Sequence, residues 1–426
     1  MRSTLQSPRV RRIVGAYSLN RLGGWLGSVA ISLAVYDHTH SAIAVSALLV
    51  AGQVLPAFLV PAFVARVEVS ARRSELSSLY WFEAVATAAL AVLIWNFSLP
   101  AVLLVATLDG TAGLAASALL RTETARAARD EVRAAATTET REDSSSLEEE
   151  ALAAERQANA TLNVAFSAAF MLGPAIAGAV VAWAGAPTGL LMDAFLFVVC
   201  GALLAQLRPH VQEAGGDSVR ARLYAAWRHI NDVPALRGLL LAEAVALVFF
   251  AAGEPIELFY AKATLDAGAR GYGFLLAVWG VGVVLGSVVF ARSARRPVGA
   301  MLTAGTLAVG LAYCGFAAAP SLVLACVAAV LGGVGNGIQW ASLISAVQQL
   351  TPQDLLGRLM GAIESLGALC PAIGLLLGGA LISLSTPRTA FLVIGLGAIA
   401  ITVAFLRLAL GGLKPDTTVS AAATTP

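Results

Sequence analysis

The sequence predicts an all-α integral membrane protein whose twelve transmembrane helices form two pseudo-symmetric bundles of six. Composition, the positions of the basic residues and an internal repeat predict this fold. Of the 426 residues, 58% are hydrophobic and only 13% are charged, and the mean hydropathy is +0.78. Because a soluble domain carries about 25% charged residues, this composition is typical of a chain that lies mostly in lipid.

Twelve apolar stretches are each long enough for a spanning helix, which needs about 20 mostly apolar residues. Short loops separate several of them, so these consecutive helices are expected to be antiparallel neighbours. Many further stretches follow the first, which indicates a membrane helix there and not a cleaved signal peptide. The predicted spans are 13–36, 41–64, 75–95, 100–120, 160–183, 187–207, 237–259, 272–291, 297–317, 321–346, 359–384 and 389–410.

Basic residues are concentrated in the predicted loops on one side of the membrane, and this asymmetry predicts the orientation of the chain. Lysine and arginine are enriched in cytoplasmic loops. With the N-terminus inside, only Lys262, Arg270 and Arg388 of the 28 basic residues fall in outer loops, and Arg21 lies within the first span. The sequence therefore predicts that both termini are cytoplasmic.

An internal repeat predicts the two bundles, as in many transporters. The residues Ser-Ala-Arg-Arg at 70–73 recur at 293–296, and Pro-Ala-Ile at 174–176 recurs at 371–373. The two offsets differ by the length of the charged, alanine-rich segment 125–150. This segment is therefore predicted to be an insertion, either a solvated helix or a partly disordered lid.

The repeat also predicts the domain organisation. The N-terminal bundle comprises 1–207 and carries the cytoplasmic insertion 125–150. A central cytoplasmic linker at 208–236 joins it to the C-terminal bundle at 237–410, and 411–426 forms a flexible cytoplasmic tail.

The sequence lacks the motifs of several other function classes. The four cysteines lie in apolar stretches without CxxC spacing, which is typical of packing residues. The glycine-rich segment 333–337 follows no predicted strand and precedes no Gly-Lys-Ser/Thr. No HExxH or GxSxG motif occurs, and the net charge is only +2. We therefore expect no enzyme activity, no cofactor, no metal site and no nucleic-acid partner.

Ionisable residues within the spans are the candidate functional groups, because each costs roughly 2.5–3.5 kcal/mol at the centre of a spanning helix. They are Arg21, Glu83, Asp109, Asp193, Glu243, Glu254, Glu257 and Glu364. Asp109 lies near the middle of its span, where removal from water favours a neutral acid that can hold a proton and later release it. Asp109 is the best candidate for a proton carrier, and a structural pairing with Arg21 is the alternative.

Four segments carry a resemblance to a known family. They are the first helical hairpin at 20–49, the loop PAFVARVEVSARR at 61–73, the Gly-Pro motif at 169–178 and LTPQDLLGRLMG at 350–361. With these segments the chain resembles the major facilitator superfamily, in particular its bacterial exporters of drugs, macrolides and siderophores.

The resemblance assigns a gating loop after the second helix. The family has a Gly-x-x-x-Asp-Arg-x-x-Arg-Arg type motif there, and Arg66, Arg72 and Arg73 match its basic positions. Pro61 and Ala65 stand at its glycine and acidic positions. The carboxylate on which the family's conformational latch depends is therefore missing.

The resemblance also implies that helices one, four, seven and ten line a central cavity. The candidates for proton coupling and for the cavity are then Arg21, Asp109, Glu243 and Glu254, and the neutral polar groups of the substrate cavity are Asn336 and Gln339. Glu83 and Asp193 lie on helices that are usually peripheral in this fold, so we expect them to form structural pairs.

Helix-breaking residues recur in the fifth and eleventh helices. Gly173, Pro174 and Gly178 are echoed by Pro371 and Gly374. Small residues let helices approach closely in lipid, and neighbouring helices can satisfy backbone groups that a proline frees. We expect both helices to bend here and to form the rocking interface of alternating access, with ordinary small-residue packing as the alternative.

These patterns predict a secondary active transporter in the bacterial cytoplasmic (inner) membrane. Its predicted activity is proton-coupled efflux, by antiport and alternating access, of amphipathic small molecules such as drugs, macrolides or siderophores. The expected partners are the substrate, protons and the lipid bilayer, and we expect a monomer. The alternatives are a lysophospholipid or other lipid flippase, and a non-transporting sensor or scaffold that works through 125–150.

Overall fold

The described residues of the computed structural model form twelve long helices and no strand. These residues are 7–59, 75–138, 144–205, 228, 230–293, 296–351 and 353–412. In chain order the helices are α1 (Pro8–Thr39), α2 (Ala42–Leu59), α3 (Glu75–Trp95), α4 (Leu99–Thr138), α5 (Ser144–Ala184), α6 (Ala186–Leu204), α7 (Pro234–Thr264), α8 (Gly268–Arg292), α9 (Val298–Ala318), α10 (Leu322–Leu350), α11 (Gln353–Leu384) and α12 (Pro387–Gly412).

Each predicted span corresponds to one of these helices. Within the described part of the chain, nine helices are long and apolar enough to cross a bilayer. The others are α1, α11 and α12, and among the described side chains the last two have the shorter apolar segments Leu369–Leu384 and Pro387–Val403. The all-helical membrane fold is confirmed, and the spanning role of these three helices stays a prediction.

Local sequence explains where several helices begin. Ser7, Ser41 and Ser321 precede α1, α2 and α10, and each side chain accepts a hydrogen bond from the backbone N–H three residues later. Such caps satisfy donors that have no partner within the helix. At the end of α1, His40 adopts the left-handed conformation, with φ of 47°. The chain can then turn sharply into α2.

Helices α4 and α5 continue well beyond their apolar parts, which are Leu99–Ser117 and Val164–Ala184. Arg129 of α4 and Glu155 of α5 form an ion pair of 2.5 Å, and buried alanines of both helices pack beside it. The described part of the predicted insertion is therefore helical and forms a paired extension, which we call the α4–α5 hairpin. Residues 139–143 lie outside the described residues.

Contacts group the chain into two compact units. Unit 1 comprises Met1–Ala214, Pro255–Gly280 and Leu375–Leu384, and unit 2 comprises Gly215–Glu254, Val281–Gly374 and Ser385–Pro426. The predicted division into halves along the chain stays a prediction. Most of the predicted linker and all but two residues of the predicted tail lie outside the described residues.

Each unit has an apolar core of its own. In unit 1 the core joins α1, α3, α4 and α6, with Tyr17, Tyr80 and Phe197 among its buried residues. In unit 2, α9 and α12 pack through Phe316 and Phe391, whose ring centroids are 4.9 Å apart. A second cluster of unit 2 joins α7 and α10 through Leu236, Leu240, Leu343 and Val347. The core of unit 1 and this cluster hold the helices that carry the candidate functional groups.

Candidate functional site

Unit 1 contains a group of polar side chains between the helices of its core. We call this group the N-terminal polar cluster, and its members are Asn20, Arg21, Tyr80, Glu83, Thr87, Asp109, Ser117 and Asp193. They come from α1, α3, α4 and α6. Because a polar group inside a bilayer is costly without partners, their concentration in one place marks the candidate site.

Arg21 supplies the positive charge of the cluster. Its Nη2 atom donates a hydrogen bond of 2.9 Å to Oγ of Ser117 on α4, and its guanidinium lies 5.3 Å from the ring centroid of Tyr17. Its Nε atom is buried without a hydrogen-bond partner among the described residues. The guanidinium therefore keeps a donor that a carboxylate could use.

Asp109 of α4 is partly buried and is held by a neutral donor. Oγ1 of Thr87 on α3 donates a hydrogen bond of 3.1 Å to Oδ1 of Asp109. Glu83, one turn before Thr87, is close enough to Asp109, Arg21 and Asp193 for Coulombic interaction. The structure thus brings the predicted proton carrier and the predicted arginine into one charged group, with Glu83 between helices α1, α4 and α6.

Glu83 and Asp193 are the most deeply buried acids of the cluster, each 3% exposed. Asn20 and Tyr80 line the same region, with a hydrogen bond of 3.2 Å from the Asn20 amide to the Tyr80 hydroxyl. Within the described residues, no group of three or more His, Cys, Asp or Glu side chains is arranged to hold a metal ion. The charged members of the cluster are three acids, Glu83, Asp109 and Asp193, and one arginine, Arg21.

Unit 2 carries the counterpart on α7 and α10. Nε2 of Gln339 donates a hydrogen bond of 3.2 Å to Oε2 of Glu243, and both residues are buried. Asn336 lies one turn before Gln339 on α10 and is partly buried, as is Glu254 on α7. Sequence reasoning named all four residues, and the structure brings Glu243 and Gln339 into contact.

The glycines of the predicted motif in α5 lie where other helices touch it. A Cβ atom at Gly173 would lie 2.7 Å from Cγ of Trp25 on α1, and a Cβ atom at Gly178 would lie 2.8 Å from the Cα atom of Gly273 on α8. The carbonyl oxygen of Pro174 faces Gly273. All these residues belong to unit 1. The contact of Gly178 requires glycine because backbone meets backbone, whereas Gly173 makes room for the Trp25 side chain.

The echoed motif in α11 makes an equivalent contact within unit 2. A Cβ atom at Gly374 would lie 2.8 Å from Cβ of Ala251 on α7 and would meet the carbonyl oxygen of Val248. Pro371 and Pro174 lie inside α11 and α5, and both helices continue through them. Close packing at these positions is thus present, whereas the rocking role stays a prediction.

A second polar contact of unit 1 lies at the end of α1. Nζ of Lys262 is 2.5 Å from Oδ1 of Asp37 and 5.1 Å from the ring centroid of Tyr36, whose ring also packs on Phe259. Lys262 sits in a π-helical turn at Tyr260–Thr264 that ends α7. Such turns are frequent at functional sites, and the sequence contained no signal for this one.

The predicted gating residues Arg66, Arg72 and Arg73 lie outside the described residues. Sequence reasoning assigned Glu83 and Asp193 to peripheral pairs and left them out of the candidate site. One available signal was Gly23-x-x-x-Gly27 in α1, a small-residue spacing that favours close helix packing, because Asp193 lies against both glycines.

The apolar helices, with buried ionisable groups between them, define a multi-pass membrane protein. The sequence profile of the Major Facilitator Superfamily matches residues 255–424. Solved transporters superimpose on nearly the whole chain. The C-terminal part of the chain therefore matches the profile of this superfamily, and the fold of the chain is that of these solved transporters.

One relative and two solved structures illustrate the match. The multidrug efflux pump Tap of Mycolicibacterium fortuitum is 28% identical over 250 residues, which are 56% of this chain and 60% of that protein's length. The second is a POT family transporter solved in complex with a thioalcohol-conjugated peptide. It has a TM-score of 0.72 at 11% identity, and the match covers 95% of this chain and 96% of the transporter's chain. The nucleoside transporter NupG has a TM-score of 0.70 at 12% identity, with coverages of 94% and 98%.

Proposed function

We propose that this protein is a proton-coupled exporter of amphipathic small molecules that works by alternating access in the bacterial cytoplasmic membrane. The observation that carries the proposal is the position of Asp109, an acid within an apolar span that shares one buried cluster with Arg21. The similarity to a multidrug efflux pump supports the direction and the class of cargo. The distribution of basic residues supports cytoplasmic termini.

The proposed coupling follows from the cost of a buried charge. A carboxyl group away from water is stable as the neutral acid, and it ionises when water or a cation reaches it. Asp109 then takes a proton from the outer side and releases it to the inner side as cargo leaves. Each charge that crosses a potential of 100 mV supplies about 2.3 kcal/mol, which is enough for uphill export of about fortyfold per charge.

The test is transport by purified protein in liposomes with an imposed pH gradient and a panel of drugs and siderophores. We expect cargo-dependent proton movement that Asp109→Asn abolishes. Asp266→Asn is the matched control, because Asp266 is exposed in the loop after α7 with φ of 49°, a conformation that asparagine tolerates. Equal coupling in both variants contradicts the proposal.

The same vesicles distinguish the alternative transport activity. Translocation of labelled lysophospholipid without a pH gradient, together with no cargo-dependent proton movement, would establish a flippase and refute the proton-coupled exporter. Reporter tags on the α4–α5 hairpin and on residues 208–236 test the topology. We expect both tags on the cytoplasmic side.

A further inference from the structure

Two acids of the N-terminal polar cluster have no role in the coupling step described above. Glu83 on α3 and Asp193 on α6 are each 3% exposed. Oε2 of Glu83 and Oδ1 of Asp193 are buried and accept no hydrogen bond from any described residue. An ionised carboxylate in such a place would lack the donors that compensate for lost water.

Glycines of α1 and α4 pack directly against the carboxyl groups of these two acids. Asp193 lies against Gly23 and Gly27 of α1, where a Cβ atom at either position would collide with its carboxyl oxygens. A Cβ atom at Gly113 of α4 would lie 2.7 Å from Oε1 of Glu83. A proton is the ligand that neutralises a buried, unpartnered carboxyl oxygen without displacing these glycines.

The titratable groups that face the two acids also favour protonated carboxyl groups here. Around Glu83 they are Arg21 from α1, Tyr80 from its own helix, Asp109 from α4, and Asp193 and Cys200 from α6. Asp193 in turn faces Asp109 and Cys200. Arg21 is the one cation in this set and can balance one carboxylate. The other acids are stable only when they carry protons.

We propose that Glu83 and Asp193 are proton-carrying residues of the transport cycle, which exchange protons with Asp109 in the N-terminal polar cluster. This inference rests on the proposed proton-coupled function. In each exchange, a proton leaves the carboxyl group of one acid and binds the carboxylate of another, so that the number of charges stays constant. Arg21 faces Glu83 and stabilises its ionised form, and the buried Nε atom of Arg21 has no hydrogen-bond partner among the described residues.

The test compares Glu83→Gln and Asp193→Asn with wild type in proteoliposomes. The amides have the shape of the neutral acids but cannot release a proton. In both variants we expect a large fall in the ratio of cargo accumulated under a pH gradient to cargo exchanged without one. We also expect the transport rate to depend less on pH than in wild type. Asp232→Asn is the control, since Asp232 is exposed and pairs with Arg228 on the surface, and it should keep both the ratio and the pH profile of wild type.

A merely structural role predicts a different result. Amide variants that keep the wild-type ratio and the wild-type pH profile would overturn the inference while leaving the proposed function intact. Absence of gradient-driven transport in wild type would instead refute the proposed function. The two failures are therefore distinguishable in one set of measurements.

Labelling of the wild-type protein decides the question even where a variant does not fold. Dicyclohexylcarbodiimide modifies protonated carboxyl groups in apolar surroundings, and mass spectrometry of peptides locates the modification. We expect labelling of Glu83 and Asp193 that decreases as the pH is raised and that cargo or a pH gradient changes. No labelling of either residue at acid pH would overturn the inference.

Discussion

Gly178→Ala tests whether the contact between α5 and α8 takes part in the transport cycle. The added Cβ atom would lie 2.6 Å from the carbonyl oxygen of Ala269 and 2.8 Å from the Cα atom of Gly273, whereas ordinary contacts begin near 3.4 Å. The two backbones would have to separate by about 0.6–0.8 Å at this point. Overpacking of this kind costs about 1–3 kcal/mol, which corresponds to a shift of about 5- to 150-fold between two conformations.

The assay is a distance measurement between spin labels at positions 182 of α5 and 270 of α8, both of which are exposed. If the contact opens during alternating access, Gly178→Ala should increase the population in which the labels are far apart. Gly15→Ala is the control, because a Cβ atom there meets nothing within 4 Å and the helix-propensity gain of about 1 kcal/mol is the same.

One result would refute this reasoning. If Gly178→Ala and Gly15→Ala give the same distance distribution and the same transport rate, the α5–α8 contact does not part during the cycle. The glycines would then serve ordinary helix packing, which was the alternative interpretation of this motif.

Two further changes test ion pairs of unit 1. Lys262→Ala removes the pair with Asp37, which is 55% exposed. We therefore expect thermal unfolding to report a decrease of only about 0.2–1 kcal/mol in the free energy of unfolding, which disappears in high salt. A large decrease that does not depend on salt contradicts this expectation. Arg129→Ala removes the pair with Glu155, and limited proteolysis should cut the α4–α5 hairpin faster while transport is unchanged. A transport defect as large as that of Asp109→Asn would instead place the hairpin in the transport cycle.

The sequence predicted the positions of the helices well because lipid imposes a strong local rule on length and apolarity. The predicted spans 100–120 and 160–183 agree with the apolar parts of α4 and α5 at Leu99–Ser117 and Val164–Ala184, whereas the rule gives no length for the parts of these helices that extend further. Beyond the lipid this rule no longer applies, and alanine-rich sequence with high helix propensity continues the helix. The buried alanines of both helices and the ion pair between Arg129 and Glu155 then hold the two extensions together.

The candidate site was predictable in part. A charge within a span is visible in any apolar sequence, so Arg21, Asp109 and Glu243 were found. The surroundings of Glu83 and Asp193 were not visible, because they depend on which faces of α1, α3, α4 and α6 meet. Nor does a sequence reveal the π-helical turn that brings Lys262 to Asp37.

The α4–α5 hairpin is long enough to amplify small rotations of the membrane part of α4. From the end of its apolar part at Ser117, α4 runs to Thr138 as a rod of about 30 Å at a rise of about 1.5 Å per residue. Rotation of the membrane part of α4 by a few degrees would sweep the tip of this rod through roughly 3 Å. A fluorophore at the tip would therefore magnify a movement too small to follow inside the bilayer.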